Sequence, residues 1–164
     1  MTKNLDIEGL SLIANNYDLF YIDLWGVVHD GIKLHDHAIA VLRKLLKMNK
    51  NFVLLTNAPR PNQPVRSFLE KMGMEEEIRN HVFTSGEAAL NYLKKFYLLE
   101  KFFHIGPPRD FDLFNDFKDN QSNDIDKSQY LLCTGLFDDH NKDLNYYKEL
   151  FEKHINKKMI CTNP

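Results

Sequence analysis

Two short groups of residues carry the chemistry in this chain. Asp23 closes an apolar run, Leu19-Phe20-Tyr21-Ile22, and Thr56-Asn57 closes a second one, Phe52-Val53-Leu54-Leu55. In a parallel α/β sheet reactive groups collect at the C-terminal strand edge. A carboxylate there can act as a nucleophile or a metal ligand, or it can simply cap a β-to-loop turn. Thr56 and Asn57 carry the same ambiguity. Their side chains suit phosphate oxygens, and they equally suit an Asx- or ST-type turn ahead of Pro59. Neighbouring strand ends lie about 5 Å apart. Asp23, Thr56 and Asn57 would then surround one small anion, with a cation offsetting the repulsion between carboxylate and phosphate. Arg60 follows closely enough to grip a substrate anion bidentately, and equally suits an ordinary surface position between prolines.

The elements that must position these residues follow from periodicity. The run at 19–23 is apolar and partly aromatic, as expected of a strand buried on both faces. Gly26 then lets the backbone turn sharply. A leading helix is expected over residues 1–16, and a second helix over 35–49, with Asp36 as N-cap and Ala38, Val41, Leu42, Leu45 and Leu46 at helical spacing. After the strand at 52–55, Pro64 opens a helix that Gly73 ends. His81-Val82-Phe83 is a short strand. Thr84 and Glu87 then have the spacing of a capping box, and Ala89, Leu90, Leu93 and Phe96 continue as a helix. Phe102–Ile105 is a strand. The stretch from Asp110 to Lys127 suggests one helical turn around Phe111 and Phe114, then a loop. Gln129–Cys133 is a strand, Leu144–Ile155 an amphipathic helix, and Lys158–Cys161 a last strand. Strands and helices thus alternate, which argues for an α/β fold with parallel sheets built from β-α-β units.

Composition narrows the function classes. Of 164 residues 43% are hydrophobic, enough for a core, and 21 basic against 23 acidic side chains give a net charge of −2. No global field draws the chain to nucleic acid or anionic lipid, and no stretch is long and apolar enough to span a membrane. Cys133 and Cys161 fit no metal spacing and are expected as reduced, buried thiols of a cytoplasmic protein. No G-x-G-x-x-G follows a strand, which speaks against a dinucleotide site. Three polar clusters each have two readings: His35 and His37 around Asp36 as helix-start residues or a metal site, Gly106-Pro107-Pro108-Arg109 as a rigid turn or a cleft lining, and Asp138-Asp139-His140 as a solvated loop or a group pointing into a cleft.

Taken together, Tyr21-Ile22-Asp23-Leu24-Trp25-Gly26-Val27-Val28-His29-Asp30-Gly31, Val53-Leu54-Leu55-Thr56-Asn57, Thr84-Ser85-Gly86-Glu87 and Thr162-Asn163-Pro164 resemble a haloacid dehalogenase (HAD) superfamily hydrolase. More narrowly, the chain resembles class IIA, the ribonucleotide monophosphatase-like and p-nitrophenyl-phosphatase-like enzymes with an inserted α/β cap. Its Asp23-Leu24-Trp25-Gly26 is similar to a D-x-W-G subgroup. The resemblance implies a Rossmann-like parallel core whose N-terminal half is residues 1–85, and part of the cap at residues 86–164, with the chain truncated there. It implies Asp23 as the nucleophile that becomes an aspartyl-phosphate, and Mg²⁺ held by the Asp23 carboxylate and the Trp25 backbone carbonyl. Thr56 would hold a phosphoryl oxygen, with Asn57 beside it. The substrate would be a small phosphorylated metabolite, and unpaired sheet edges would allow a homo-oligomer.

Two departures accompany the resemblance. The family's leaving-group acid stands two residues after the nucleophile, where this chain has Trp25; losing such an acid costs roughly 10²–10⁴ in rate. His29 and Asp30 are the local candidates to replace it. The family's later Lys and Gly-Asp-x-x-x-Asp motifs are also absent from the sequence. A weakened binding protein on the same scaffold, or a dehalogenase-type hydrolase, are the other expectations.

Overall fold

The computed structural model describes residues 9–163. Its strands are β1 (Leu19–Asp23), β2 (Asn51–Thr56), β3 (Val82–Thr84), β4 (Phe102–Ile105), β5 (Tyr130–Cys133) and β6 (Lys158–Cys161). The helices are α1 (Asp36–Lys47), α2 (Asn62–Lys71), α3 (Glu76–Arg79), α4 (Ser85–Phe96) and α5 (Leu144–Lys153). Two three-stranded sheets result, ordered β1-β2-β3 and β4-β5-β6. The β1–β2, β4–β5 and β5–β6 pairs are parallel, as the alternation of strands and helices requires: parallel neighbours need a crossover, and the helices supply it. The expected α/β class is the observed one.

The chain divides into two compact units. One holds the residues up to Leu55 together with Leu69–Val82; the other holds Thr56–Phe68 together with Phe83 onward. In the first, Leu42 and Leu45 of α1, Phe52 and Leu54 of β2, and Leu69 and Ile78 are buried. In the second, Leu90 and Leu93 of α4, Phe102, Tyr130 and Leu132 of the strands, and Leu113, Phe114 and Phe117 form one apolar cluster. A smaller cluster joins Ile105, Leu131 and Tyr147.

Several sequence expectations are corrected. The expected leading helix is two 3₁₀ turns, Leu10–Leu12 and Ala14–Asn16, and its part at residues 1–8 lies outside the described residues. β1 is not buried on both faces: its residues alternate, and Tyr21 is 69% exposed. It pairs with β2 and stands last in the order of its sheet among the described residues. Asp36 is the first helical residue rather than the N-cap, which is His35. Ile39, absent from the expected face of α1, is buried, whereas Val41 is exposed. The turn expected around Phe111 is a 3₁₀ segment, Pro108–Leu113, and a second one, Asn115–Asn120, stands where a loop was expected. Ile155 lies past the end of α5 and is exposed. Cys161 is exposed and Cys133 only half-buried, rather than both buried.

Candidate active site

Asp23 ends β1, where its register partner on β2 is Leu55. Thr56 is the next residue and the last of β2. The carboxylate and the hydroxyl thus terminate adjacent parallel strands. Asp23 Oδ1 accepts the Leu24 N–H at 2.8 Å, which leaves Oδ2 outside this local bond.

The loop after β1 is built around one acceptor. The Leu24 carbonyl takes N–H bonds from Val27 (3.3 Å), Val28 (2.8 Å) and His29 (3.2 Å). Gly26, at φ +77°, allows the reversal and donates its N–H to the His29 carbonyl at 2.8 Å. None of these bonds ends on the Trp25 carbonyl, and the Trp25 side chain is 69% exposed. Asp23 and Trp25 therefore offer a carboxylate and a carbonyl, hard oxygen donors of the kind Mg²⁺ takes. This donor set fits part of an octahedral shell. Among the described residues no group of three or more His, Cys, Asp or Glu is placed to hold a metal.

Neither local substitute for the missing acid is in the right protonation state. Asp30 Oδ1 accepts N–H bonds from Lys33 (2.8 Å) and Ile32 (2.9 Å), and these hold its carboxyl below the usual range, ionised. His29 is buried, which lowers its pKa, and its Nδ1 accepts the Gly31 N–H at 3.0 Å. A neutral ring with an occupied acceptor nitrogen is a poor proton donor.

The segment after β2 is held firmly. Thr56 Oγ1 accepts the Ala58 N–H at 3.3 Å, the ST-type turn that the sequence left as an alternative. Asn57 Nδ2 donates to Asn163 Oδ1 at 3.1 Å. Arg60 is committed: its guanidinium lies 3.2 Å from Asp112, and its carbonyl accepts the buried Thr84 hydroxyl. The expected cap is real, with Thr84 Oγ1 accepting the Glu87 N–H at 2.8 Å. The Glu87 carboxylate does not return to Thr84, however. It accepts the Asn62 N–H at 2.8 Å, while Asn62 Oδ1 accepts the Thr84 N–H at 3.0 Å. This three-residue exchange pins the 58–62 loop to the start of α4.

The second unit also holds a polar cleft of 460 Å³, lined by Arg109, Asp110, Thr134, Asp138, His140 and Asn163 among others. Gly106–Arg109 and Asp138–His140, each read separately as either a plain loop or a cleft lining, follow the adjacent strands β4 and β5 and meet there. Arg109 grips Asp138 with one nitrogen on both carboxylate oxygens, at 2.8 and 2.9 Å. His104 Nε2 lies 2.8 Å from Thr134 Oγ1. Burial lowers the His104 pKa and Asp110 partly restores it. The signal that joins them in one cleft is positional: both loops leave C-terminal ends of parallel neighbours. In the first unit His35, Asp36 and His37 line a separate cleft of 710 Å³ beside the Arg43–Glu75 ion pair.

Comparison with known proteins adds the family. Residues 20–118 match the model of the haloacid dehalogenase-like hydrolases. The chain belongs to that family. No curated protein matches it. Among solved structures, a haloacid dehalogenase-like family hydrolase from Brucella suis is 30% identical, with 94% of this chain and 57% of that chain covered and a TM-score of 0.78. The 4-nitrophenylphosphatase of Thermotoga maritima is 21% identical over 92% of this chain and 56% of that one, with a TM-score of 0.66. A glycerol phosphate phosphatase from Mycobacterium tuberculosis, in complex with calcium, is 19% identical over 92% and 44%, with a TM-score of 0.61. This family member spans little more than half the length of the Brucella hydrolase. No helix among its described residues is long and apolar enough to cross a membrane.

Proposed function

We propose that this chain carries the nucleophile of a Mg²⁺-dependent phosphatase of the D-x-W-G kind, acting on a small phosphorylated metabolite in the cytoplasm. The observation that carries the reading is the register of β1 and β2, which sets Asp23 opposite Leu55 and one residue from Thr56. Family membership and the phosphatases among the similar folds support it. Asp23 attacks phosphorus through Oδ2, the oxygen not tied to Leu24, and the ester oxygen leaves. Water then hydrolyses the aspartyl-phosphate, releasing inorganic phosphate and restoring the carboxylate. The Thr56 hydroxyl and the Asn57 backbone hold phosphoryl oxygens. Arg60 joins them only by giving up Asp112. Mg²⁺, held by the Asp23 carboxylate and the Trp25 carbonyl, supplies charge neutralisation when bound.

Trp25 shapes the specificity. With an indole in place of the acid, the leaving oxygen departs without a donated proton, so aryl esters with acidic alcohols are favoured over alkyl esters. The test is hydrolysis of nitrophenyl phosphate and glycerol phosphate with Mg²⁺, on this chain and on the longest reading frame containing it. Asp23→Asn abolishes turnover, and Trp25→Asp raises the alkyl-ester rate by about 10²-fold or more. Phosphate release that survives Asp23→Asn overturns the assignment. Binding of phosphate esters without turnover in either protein would instead establish the scaffold as a binding protein.

A further inference from the structure

β5 and β6 run parallel with Cys133 directly opposite Cys161. Register partners on parallel strands project to the same face of the sheet, so the two free thiols stand side by side at adjacent strand ends. Strand spacing puts their Cα atoms about 4.8 Å apart, inside the window of about 4.4–6.8 Å that disulfides span. The two ends are also tied together by backbone: the Thr162 N–H and hydroxyl both donate to the Cys133 carbonyl, at 2.9 and 3.4 Å. Cys161 is exposed and meets an oxidant first, while Cys133 is half-buried. Burial, and then the proximity of Cys161, raise the Cys133 thiol pKa and keep that sulfur protonated in the resting pair.

We propose that Cys133 and Cys161 are a reversible dithiol–disulfide couple, closed by a low-molecular-weight disulfide such as glutathione disulfide. The Cys161 thiolate attacks one sulfur of that disulfide; its S–S bond breaks and one glutathione leaves as thiolate. The Cys133 thiolate then attacks the Cys161 sulfur and expels the second glutathione. Two protein thiols lose two protons and two electrons, and the oxidant is reduced to two thiols. Reversibility follows from the sheet. Strand spacing holds the Cβ atoms near 4.8 Å, whereas a disulfide draws them to about 3.8 Å, so closure pinches β5 and β6 together by about 1 Å. A strained, accessible bridge is more easily reduced than an ordinary structural one. Asn163, two residues beyond Cys161, holds the Asn57 side chain, so closure also loads the segment after β2. The proposal does not depend on the hydrolase reading.

The test is mass spectrometry of the whole chain after incubation with glutathione disulfide, acid quench and alkylation. The expected product is a monomer that has lost two hydrogens and takes up no alkyl group, with Cys133 and Cys161 in one cross-linked peptide pair. Excess reduced glutathione returns both thiols without denaturant. Cys133→Ser accumulates a stable glutathione adduct on Cys161, because the resolving sulfur is gone. Separate stable adducts on both cysteines of the natural chain, dimers alone, or a bridge that resists native reduction would each overturn the proposal. The decisive reading is made on the natural chain and depends on no variant folding.

Discussion

Gly86→Ala pits two opposite expectations against each other. Gly86 is the second residue of α4, and replacing Gly by Ala within a helix ordinarily stabilises by up to about 1 kcal/mol. Here a Cβ would stand 2.3 Å from the Arg60 nitrogen and 2.4 Å from its carbonyl oxygen. Both are backbone atoms, with no flexible side chain to swing away. Restoring even a tight 3.0 Å contact moves the loop by about 0.7 Å. That loop is bound to α4 by the Gly86 N–H and the Ser85 hydroxyl, both on the Ala58 carbonyl at 3.1 Å, and by the Thr84 hydroxyl on Arg60. Overpacking of this kind costs about 1–3 kcal/mol, and each strained hydrogen bond adds up to about 1 kcal/mol. The steric side wins, for a net loss of about 1–4 kcal/mol. At about 2–4 °C per kcal/mol for a chain of this size, the melting temperature falls by roughly 2–16 °C. Thermal melts followed by circular dichroism measure it, with Gly135→Ala as control. A Cβ there meets only Pro107 Cδ at an ordinary 3.6 Å, and stability should stay within about 0.5 kcal/mol of the natural chain. A Gly86→Ala protein that melts at or above the natural chain would refute the close approach of the two backbones.

Tyr130→Phe acts in the opposite direction. The Tyr130 ring is fully buried against Tyr97 and Phe102, its hydroxyl has no hydrogen-bond partner among the described residues, and burial holds its pKa far above the usual value. Removing a desolvated, unpaired hydroxyl should raise stability by about 1 kcal/mol, seen as a higher urea midpoint at unchanged slope; a lower midpoint would show that the hydroxyl is engaged. Acid should weaken the fold through His104 and His29, both pushed by burial below the ordinary 6.5. Between that value and the lowered folded one the unfolded chain binds more protons, so this stability is present above about pH 6.5 and is lost as pH falls. His104→Gln should flatten the acid limb of a denaturation series, and an unchanged slope would count against it.

Much of this molecule was legible because its local signals agree. The apolar run 52–55 ending in Thr56, the Thr84 cap and the apolar spacing at Leu90 and Leu93 all appear where periodicity and capping place them. The strand ends bearing Asp23 and Thr56 were legible for the same reason. What stayed hidden depends on long-range fit. The 3₁₀ segment at Asn115–Asn120 escaped a reading tuned to 3.6 residues per turn, although Phe111, Phe114 and Phe117 recur at every third position, the 3₁₀ period. Exposure of Tyr21 depends on what covers one face of β1, which no property of the strand itself specifies. The Asn62–Glu87 bond and the Arg60–Gly86 contact join residues some 25 positions apart, and the pairing of Cys133 with Cys161 depends on register, which spacing alone does not fix.

The division of the chain has a consequence for its biogenesis. The polypeptide passes between the two units three times, at Leu55/Thr56, Phe68/Leu69 and Val82/Phe83. A protease that nicks one crossing therefore cannot release either unit, since covalent links remain. During synthesis the first unit lacks its last piece until Val82 has emerged from the ribosome, and Thr56–Phe68, made earlier, must wait unpartnered for Phe83 and the residues after it. A nascent chain paused between those points is where a chaperone would find the most to hold.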